Sequence, residues 1–334
     1  MKAVVISEHG SFDKLLIEDR PMPEPKPDEV RVAVRAAALN HLDTWVRRGI
    51  PGVKFPLPLI PGCDGSGVVD LAGDSAHGIE AGMEVVLAPG VGHPMDRHYG
   101  ILGETRDGTC CEYIVVPREN VLPKPANLSF EEAAATPLTF LTAWAMLTRR
   151  ANVRPGEWVL VHAAGSGVGT AAVQIAKLHG CNVIATASTE EKREKALALG
   201  ADEAIPYEDF SRNARRITKK AGVDVVFEHV GPATWNQSIL SLKKGGRLVT
   251  CGGTSGHEIT FDLRHLFFKS LSFLGNTMGT LEELKTVLKH VEAGRLKPVL
   301  DTVLPLDEIQ AAHQRLAERA VFGKIVISIL GPTG

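Results

Sequence analysis

Cysteine is scarce in the sequence, and the few cysteines show no paired spacing. The chain has 334 residues, of which five are cysteine, and no two cysteines form a C-x-x-C pair. A disulfide framework uses an even number of cysteines, and a four-cysteine structural zinc site needs closely spaced ones. The pattern therefore argues against both kinds of site.

Neither sign of charge is in excess. The chain has 37 Lys and Arg residues against 39 Asp and Glu residues, so its formal net charge is -2. A protein that binds nucleic acid as a general polyanion needs a basic excess. We therefore expect no nucleic-acid partner.

Long apolar runs are absent as well. No uninterrupted run reaches the ~20 residues needed to span a bilayer, and no signal-peptide pattern precedes the strand-like residues 2–7. Hydrophobic residues make up 44% and charged residues 23% of the chain, values typical of soluble globular enzymes. These features predict a cytoplasmic protein with no membrane partner, and the length predicts about two domains.

Local patterns divide the chain into a β-rich part and a part in which strands and helices alternate. Residues 1–126 contain short apolar or alternating runs, such as residues 29–38, between Gly and Pro turns, as in a barrel-like β domain. Residues 127–275 alternate strand and helix, which predicts an α/β domain with a doubly wound parallel sheet of the Rossmann type. Residues 276–334 add two helices and a last strand at 324–330.

The strongest local signal is the segment WVLVHAAGSGVGTAAVQIAK, residues 158–177. An apolar strand leads into a Gly-rich turn, and the turn opens a helix. Small residues let the backbone approach a pyrophosphate, and the N–H groups at the helix start can donate to it. Such a turn can also be a plain tight connection, but the two βα units that follow favour nucleotide binding.

The end of the second strand of this unit bears on the choice of cofactor. An NAD-binding protein usually carries Asp or Glu there, bonded to the ribose 2′-hydroxyl. This chain has Ala187 and Ser188 instead, and Lys192 and Arg193 follow within one helical turn. The two cations can form a solvated helix face with their glutamate neighbours. The missing acid, however, favours NADP(H), because it removes repulsion against a 2′-phosphate.

The chain as a whole resembles the medium-chain dehydrogenase/reductase superfamily. The segments that carry the resemblance are PGCDGSGVV, LTFLTAW, AAGSGVGTAAVQIAK, LGADEAIPY and GKIVI, in that order along the chain. They are similar to the quinone oxidoreductase and zinc-type alcohol dehydrogenase-like branches. The resemblance implies a GroES-like catalytic domain over residues 1–126, a Rossmann domain over 127–275, and a return of 276–334 to the catalytic domain.

The resemblance also implies a set of cofactor contacts. Ser188 and Lys192 would hold the 2′-phosphate, with Tyr207 nearby, and the Gly-rich turn would hold the pyrophosphate. The full implied set is Asn40, Thr142, Ala164, Gly165, Ser166, Gly167, Val168, Gly169, Ser188, Lys192, Tyr207, Val230, Cys251, Gly252, Gly253, Asn276 and Thr277.

The zinc enzymes of this superfamily differ from the chain at their metal ligands. Asn40 stands at the position of their Cys ligand, Cys63 at that of their His ligand, and Asp64 at that of the following Glu. Leu42 replaces the hydroxyl of their proton relay. A metal remains possible if Cys63 binds it together with His41 or Asp64, but zinc wants three protein ligands, so the sequence favours a zinc-free site.

These observations predict an NADPH-dependent reductase that transfers hydride to a quinone or an α,β-unsaturated carbonyl. Asn40 is the first candidate to hold the developing oxyanion, and Asp43 and Asp64 complete the expected catalytic set. The alternatives are a zinc-dependent alcohol dehydrogenase and a non-enzymatic nucleotide-binding protein. The apolar residues 271–274 would form an open sheet edge, which predicts a homodimer.

Overall fold

Two large β-sheets organise the described residues, and each belongs to its own compact unit. The computed structural model describes residues 1–329. The first unit comprises Met1–Leu138 and the chain from Thr280 onward, and the second comprises Thr139–Gly279. Leu330, which the sequence places at the end of the last strand, lies outside the described residues.

Strands and helices follow one another through both units. The strands of residues 1–329 are, in chain order, β1 (Lys2–Val5), β2 (Leu16–Asp19), β3 (Glu29–Ala38), β4 (Asp64–Ala72), β5 (Glu84–Leu87), β6 (Gly90–Val91), β7 (Gly100–Ile101), β8 (Tyr113–Pro117), β9 (Val121–Pro123), β10 (Trp158–Val161), β11 (Asn182–Thr186), β12 (Glu203–Ile205), β13 (Val223–Glu228), β14 (Leu242–Thr250), β15 (Ser272–Gly275), β16 (Leu300–Pro305) and β17 (Lys324–Ser328). The α-helices of the same residues are α1 (His41–Arg48), α2 (Phe130–Ala134), α3 (Pro137–Trp144), α4 (Gly167–Leu178), α5 (Glu190–Ala198), α6 (Phe210–Ile217), α7 (Pro232–Ser241), α8 (Leu263–Phe268), α9 (Leu281–Glu292) and α10 (Ile309–Ala317). None of these helices is both long and apolar enough to cross a bilayer.

The sheet of the first unit is built around β3. Its strand order is β16-β17-β3-β4-β5-β9, and β8 also pairs with β3. The alternation seen in the sequence of β3 buries Val30, Val32 and Val34 in the core. At its far end, antiparallel registers align Ala38 with Asp64 of β4 and with Val326 of β17. The end of β3 therefore lies beside the starts of β4 and β17.

The sheet of the second unit has the order β12-β11-β10-β13-β14-β15, and every neighbouring pair is parallel. Every residue of the central strand β13 is buried, as expected where helices cover both faces of a parallel sheet. This confirms the predicted α/β class and the Rossmann-type sheet. The carboxyl ends of the strands, where such sheets bind ligands, lie at one edge.

Three helices, α1, α6 and α8, are not indicated by the local sequence patterns. α1 begins directly after Asn40, whose backbone N–H donates to Asp43 Oδ2 at 2.7 Å, as in an N-terminal capping box. α6 is mostly polar, and its buried residues are Phe210 and Ala214. Its apolar residues Phe210, Ala214 and Ile217 recur at helical spacing, but a helix of eight residues is stable only through packing of that apolar face.

Candidate active site and nucleotide-binding turn

The Gly-rich turn connects β10 with α4 in the second unit. Ser166 caps the helix, because its Oγ accepts the Gly169 N–H at 3.0 Å. A Cβ at Gly169 would lie only 2.3 Å from the Ala163 carbonyl oxygen. The turn can close this tightly only with glycine at that position, which is the role expected of the third glycine in a dinucleotide-binding turn.

Several backbone N–H groups of the turn point to no protein acceptor. The Ala164 N–H donates to the Thr186 carbonyl at 3.0 Å. The N–H groups of Gly165, Gly167 and Val168, in contrast, have no hydrogen-bond acceptor within residues 1–329. Three unpaired N–H groups at a helix N-terminus are suited to a phosphate.

Tyr207 holds the backbone at Ala163, where the turn begins. Ala163 has a left-handed backbone, with φ of 44°, which costs energy for a residue with a Cβ. Its N–H donates to the Tyr207 hydroxyl at 3.1 Å and to Thr186 Oγ1 at 3.3 Å. Tyr207, implied by the resemblance as a cofactor contact, therefore holds the backbone of the turn.

A buried polar network lies next to this turn. His162 bonds through Nδ1 to Thr186 Oγ1 at 3.0 Å and through Nε2 to Ser238 Oγ at 2.8 Å. The Ser238 hydroxyl in turn donates to Glu228 Oε2 at 3.0 Å. Burial lowers the pKa of His162 to about 4, so the imidazole is neutral at neutral pH. The network links the ends of β10, β11 and β13 with α7.

The end of β11 carries no acidic side chain. Ala187 is buried and Ser188 is exposed, and Thr189 caps α5 by accepting the Lys192 N–H at 3.2 Å. The Arg193 guanidinium is engaged locally, because it pairs with Glu190 and donates to the Ala187 carbonyl. The Arg193 side chain is therefore held at the start of α5.

The other implied cofactor residues of the second unit lie just beyond the carboxyl ends of β13, β14 and β15, or in α3. The Val230 N–H donates to Glu228 Oε1 at 2.7 Å, and Asn276 Nδ2 donates to the Met278 carbonyl at 2.9 Å. Thr142 Oγ1 contacts Met278 Sδ at 3.7 Å. The members of this group are Thr142, Val230, Cys251, Gly252, Gly253, Asn276 and Thr277.

In the first unit, the ends of three strands bring Asn40, Cys63, Asp64 and Lys324 together. The Lys324 ammonium donates to Asn40 Oδ1 at 2.6 Å and to Asp64 Oδ2 at 3.0 Å. Asn40 Nδ2 donates to Asp64 Oδ2 at 2.8 Å and contacts Cys63 Sγ and the Ala38 carbonyl, each at 3.2 Å. Lys324 is 4% exposed and Asp64 is 0% exposed. The pair of charges is therefore almost completely withdrawn from water.

Asp43 ties this cluster to two neighbouring loops. Its Oδ2 accepts the Asn40 backbone N–H at 2.7 Å, and its Oδ1 accepts the Gly62 N–H at 3.0 Å. Burial raises the pKa of Asp43 to about 6, against the lowering effect of these hydrogen bonds and of Lys324. Both carboxylate oxygens are occupied by backbone groups, so Asp43 positions the loops that carry Asn40 and Cys63.

The donor set of this cluster does not fit a zinc ion. Asp64 has no oxygen without a donor, because the Leu138 N–H occupies Oδ1 at 2.8 Å while Asn40 and Lys324 share Oδ2. Burial, with the nearby carboxylates, raises the pKa of Cys63 well above its ordinary value, and zinc binds the thiolate. No group of three or more His, Cys, Asp and Glu side chains within residues 1–329 is arranged to hold a metal. The Lys324 ammonium already balances the charge of the Asp64 carboxylate.

Lys324 is the residue of this cluster that the sequence analysis misses. A signal is present, since a lysine opens the apolar run KIVIS of β17. Gly323 precedes it with φ of 107°, and a Cβ there would lie 2.3 Å from the Val299 carbonyl oxygen. This close turn fixes where β17 begins and so places Lys324 across from Asn40.

Tyr99 is a second polar group of interest in the first unit. Its hydroxyl is buried and has no hydrogen-bond partner among residues 1–329. It lies against Gly90, where an added Cβ would be 2.4 Å from the hydroxyl oxygen. Burial raises the pKa of Tyr99, and Glu104 and Cys63 raise it further. The phenol is therefore a protonated donor at neutral pH.

Two known family models match the chain, each mainly in one of the two units. The family model of the zinc-binding dehydrogenases matches residues 167–293, and that of the alcohol dehydrogenase GroES-like domain matches residues 26–126. The first match covers most of the second unit from the start of α4, and the second match covers β3 to β9.

Individual relatives span nearly the whole chain. A zinc-type alcohol dehydrogenase-like protein of Schizosaccharomyces pombe is 34% identical, with 98% of this chain and 99% of the relative covered. The human quinone oxidoreductase is 30% identical, with 98% and 97% covered. A crystal structure described as an NAD-dependent alcohol dehydrogenase is 48% identical, has a TM-score of 0.95, and covers 98% of this chain and 100% of its own.

The N-terminal family model and the Rossmann-type sheet agree with the predicted GroES-like and Rossmann-type fold, and the relatives described above, which are named as dehydrogenases or oxidoreductases, match nearly the whole chain. The chain therefore belongs to the medium-chain dehydrogenase/reductase superfamily and is an NAD(P)H-dependent oxidoreductase that acts on small molecules.

Proposed function

We propose that the protein is a zinc-independent, NADPH-dependent reductase of quinones or α,β-unsaturated carbonyl compounds. The observation that carries the proposal is the contact between the Lys324 ammonium, Asn40 Oδ1 and Asp64 Oδ2. A reductase without a metal has no Lewis acid to stabilise an alkoxide. A conjugated acceptor needs less help, because its negative charge is delocalised onto an oxygen that a hydrogen bond can hold.

The Gly-rich turn supports the cofactor part of the proposal. The N–H groups of Gly165, Gly167 and Val168 would hold the pyrophosphate. Ser188 and Lys192 would hold the 2′-phosphate, since no carboxylate at the end of β11 opposes it. When bound, the reduced nicotinamide supplies the hydride.

Asn40 is the proposed donor to the substrate oxygen. One of its two N–H bonds is directed to the Asp64 carboxylate, a strong acceptor, at 2.8 Å. The other is divided between Cys63 Sγ and the Ala38 carbonyl at 3.2 Å. Both contacts are longer than the bond to Asp64, and a thiol sulfur is a weak acceptor, so this second N–H is the one we propose to turn to a developing oxyanion. Asp43 and Asp64 then act as positioning residues.

Tyr99 is the alternative donor, because its hydroxyl has no partner in the described chain. Substitutions at Asn40 and at Tyr99 distinguish the two candidate donors. Asn40→Ala should lower kcat much more than it weakens NADPH binding, whereas Tyr99→Phe should leave kcat within about threefold. The opposite result would move the oxyanion contact to Tyr99.

A second candidate function is favoured by the 48% identical structure described as an NAD-dependent alcohol dehydrogenase. That description predicts NADH as the reduced cofactor and an alcohol as the substrate. It conflicts with the proposal on both points, so cofactor and substrate have to be tested together.

The test combines metal analysis with three substrate assays. Protein purified without chelator is analysed for zinc, and turnover is measured with a quinone, an enone and a simple alcohol, each with both cofactors. Zinc-free protein that reduces the enone or quinone and ignores the alcohol is the expected result. Stoichiometric zinc, with alcohol oxidation that a chelator abolishes, would replace the proposal with the second candidate.

We also propose a homodimer in which two copies of β15 pair edge to edge. β15 is the last strand of the parallel sheet and presents an unpaired edge within the described chain. Directly before it, α8 exposes Leu263, Phe267 and Phe268 by 62%, 60% and 68%, and an open edge beside apolar side chains invites a partner. Light scattering at micromolar concentration should give twice the mass of the chain. The mass of a single chain would contradict the dimer.

A further inference from the structure

Lys324 places a fixed positive charge inside the first unit, in direct contact with the side chain proposed to bind the substrate oxygen. Its Nζ lies 2.6 Å from Asn40 Oδ1 and 3.0 Å from Asp64 Oδ2. The ammonium is 4% exposed, so water screens its charge poorly. Whatever forms next to Asn40 forms in the field of this cation.

The ammonium also fixes the orientation of the Asn40 amide. A lysine has three donors and no acceptor. The atom of Asn40 that faces Lys324 must therefore be the oxygen, and the nitrogen must face Cys63 and Asp64. This settles from chemistry the amide orientation that side-chain shape leaves open. With this orientation, both N–H bonds of Asn40 point away from Lys324. Among their acceptors, the Cys63 sulfur is the weakest.

A cation bonded to an amide oxygen draws electron density toward that oxygen and makes the N–H bonds stronger donors. Hydrogen bonds in chains reinforce one another, and charged partners strengthen them further, most of all at low dielectric. We infer that Lys324 is a positioning residue that acts through Asn40: it aims the Asn40 N–H at the oxyanion formed on the substrate and strengthens that hydrogen bond. The inference rests on the proposed reductase function, and it assigns to a lysine the task that a Lewis-acid metal performs elsewhere.

The inference predicts a dependence on the substrate that a purely structural role would not produce. The more basic the developing oxyanion, the more it gains from a strengthened donor. A simple enone should therefore lose more rate than a quinone when the cation is removed, because a quinol oxygen holds its charge more easily. A residue that only stabilises the fold would lower both rates by the same factor.

The experiment compares Lys324→Met, Lys324→Arg and a control, Lys54→Met, which makes the same chemical change at an exposed residue. Steady-state kinetics with an enone and a quinone are measured, with NADPH affinity from fluorescence. We expect Lys324→Met to lower kcat for the enone about a hundredfold and for the quinone about tenfold, with NADPH affinity within threefold. Lys324→Arg should recover at least a tenth of the enone rate, and Lys54→Met should match the parent.

Lys324→Met leaves Asp64 as an unpaired buried charge, so a charge-balanced pair covers the case in which it does not fold. Asp64→Asn keeps the cation, and Asp64→Asn with Lys324→Met removes both charges. The double variant should be folded and should still show the enone-selective loss relative to Asp64→Asn. In an Asn40→Ala background, Lys324→Met should lower kcat by less than threefold further, because the lysine acts through the amide.

Each outcome has a distinct meaning. Equal losses for enone and quinone, or full loss from Lys324→Met in the Asn40→Ala background, would overturn the role of Lys324 and leave the proposed reductase function standing. A zinc-free parent that reduces neither acceptor would overturn the proposed function and this inference with it.

Discussion

The Gly-rich turn of the second unit, proposed to bind the nucleotide, and the Asn40 cluster of the first unit are built in opposite ways. The turn takes its working groups from one continuous stretch between β10 and α4, and these groups are backbone N–H bonds. The cluster joins side chains as far apart as Asn40 and Lys324, which are separated by 284 positions. The turn leaves donors unpaired for an anion, whereas the cluster pairs nearly every polar atom with another. Substitutions in the turn should therefore act mainly on cofactor binding, whereas substitutions in the cluster should act first on the stability of the fold.

The largest effect on cofactor binding is expected at Gly169, which tests how closely the turn must pack. In Gly169→Ala the new Cβ would lie 2.3 Å from the Ala163 carbonyl oxygen and 2.9 Å from Ala164 Cα. Both atoms belong to the backbone, so the turn itself must move and its N–H groups lose their common direction. NADPH affinity, measured by fluorescence titration, should fall by more than about a hundredfold, equivalent to ~2.7 kcal/mol.

The control for this substitution is Gly275→Ala. A Cβ at Gly275 would meet no atom within 4 Å, so cofactor affinity should stay within about twofold of the parent. If Gly169→Ala and Gly275→Ala bind NADPH equally well, the close approach in the turn has no part in binding.

Substitutions in the Asn40 cluster should lower the free energy of unfolding before they affect binding. Asp64→Ala removes the carboxylate and leaves the Lys324 ammonium buried without its counter-charge, which costs about 3–5 kcal/mol of unfolding free energy in such pairs. Replacing both residues, as Asp64→Asn with Lys324→Met, should recover most of that loss because no lone charge remains. Urea denaturation measures all three proteins. A double variant no more stable than Asp64→Ala would mean that the ion pair is not the source of the loss.

The neutral His162 beside the turn gives a pH signature. Its pKa is about 4 in the folded protein, against about 6.5 when unfolded. Between these values the unfolded chain binds more protons, so the free energy of unfolding falls as pH drops from about 6.5 to about 4, by about 3 kcal/mol from this group. Above pH 6.5 the contribution is complete and constant.

The matching variant is His162→Gln, which keeps hydrogen-bonding capacity without titrating in this range. Its free energy of unfolding should change less between pH 6.5 and pH 4 than that of the parent. His229 and His313 are also buried with lowered pKa values, so part of the dependence should persist in the variant. Identical pH profiles for parent and variant would show that His162 titrates alike in both states.

The difference between the two sites also explains what the sequence can predict. The turn can be predicted because the strand, the glycines and the start of the helix follow one another directly in the sequence, and together they are typical of a phosphate-binding turn. Asn40, Asp43 and Asp64 are selected by resemblance, but their contacts depend on which strands are neighbours and in what register. Lys324 escapes prediction because an isolated lysine in KIVIS gains meaning only when β17 pairs with β3 so that Val326 lies opposite Ala38.

Helices show the same division. Ser129 is recognisable as an N-cap because Glu132 follows at the capping-box spacing, and α2 begins there with both hydrogen bonds formed. α6 has no comparable signal, because its first turn has no acidic residue and Asp209, its N-cap, makes no side-chain cap hydrogen bond. The start of α6 is therefore harder to place from the sequence than the start of α2.

The smallest effect on cofactor binding is expected at Lys192, near the start of α5. Its backbone N–H is fixed by the Thr189 cap at 3.2 Å, and exposed Ser188 comes directly before that cap. A charge-assisted contact to a phosphate contributes ~1.5–3 kcal/mol, so Lys192→Ala should weaken NADPH binding about ten- to a hundredfold. NADH lacks the 2′-phosphate and should bind within about twofold of the parent. Lys195→Ala is the control, because Lys195 lies on the same helix and pairs with Glu191 at 2.6 Å, and it should change neither affinity. A parent that binds both cofactors equally would remove the preference for NADPH, and with it the proposed role of the missing acid at Ala187 and Ser188.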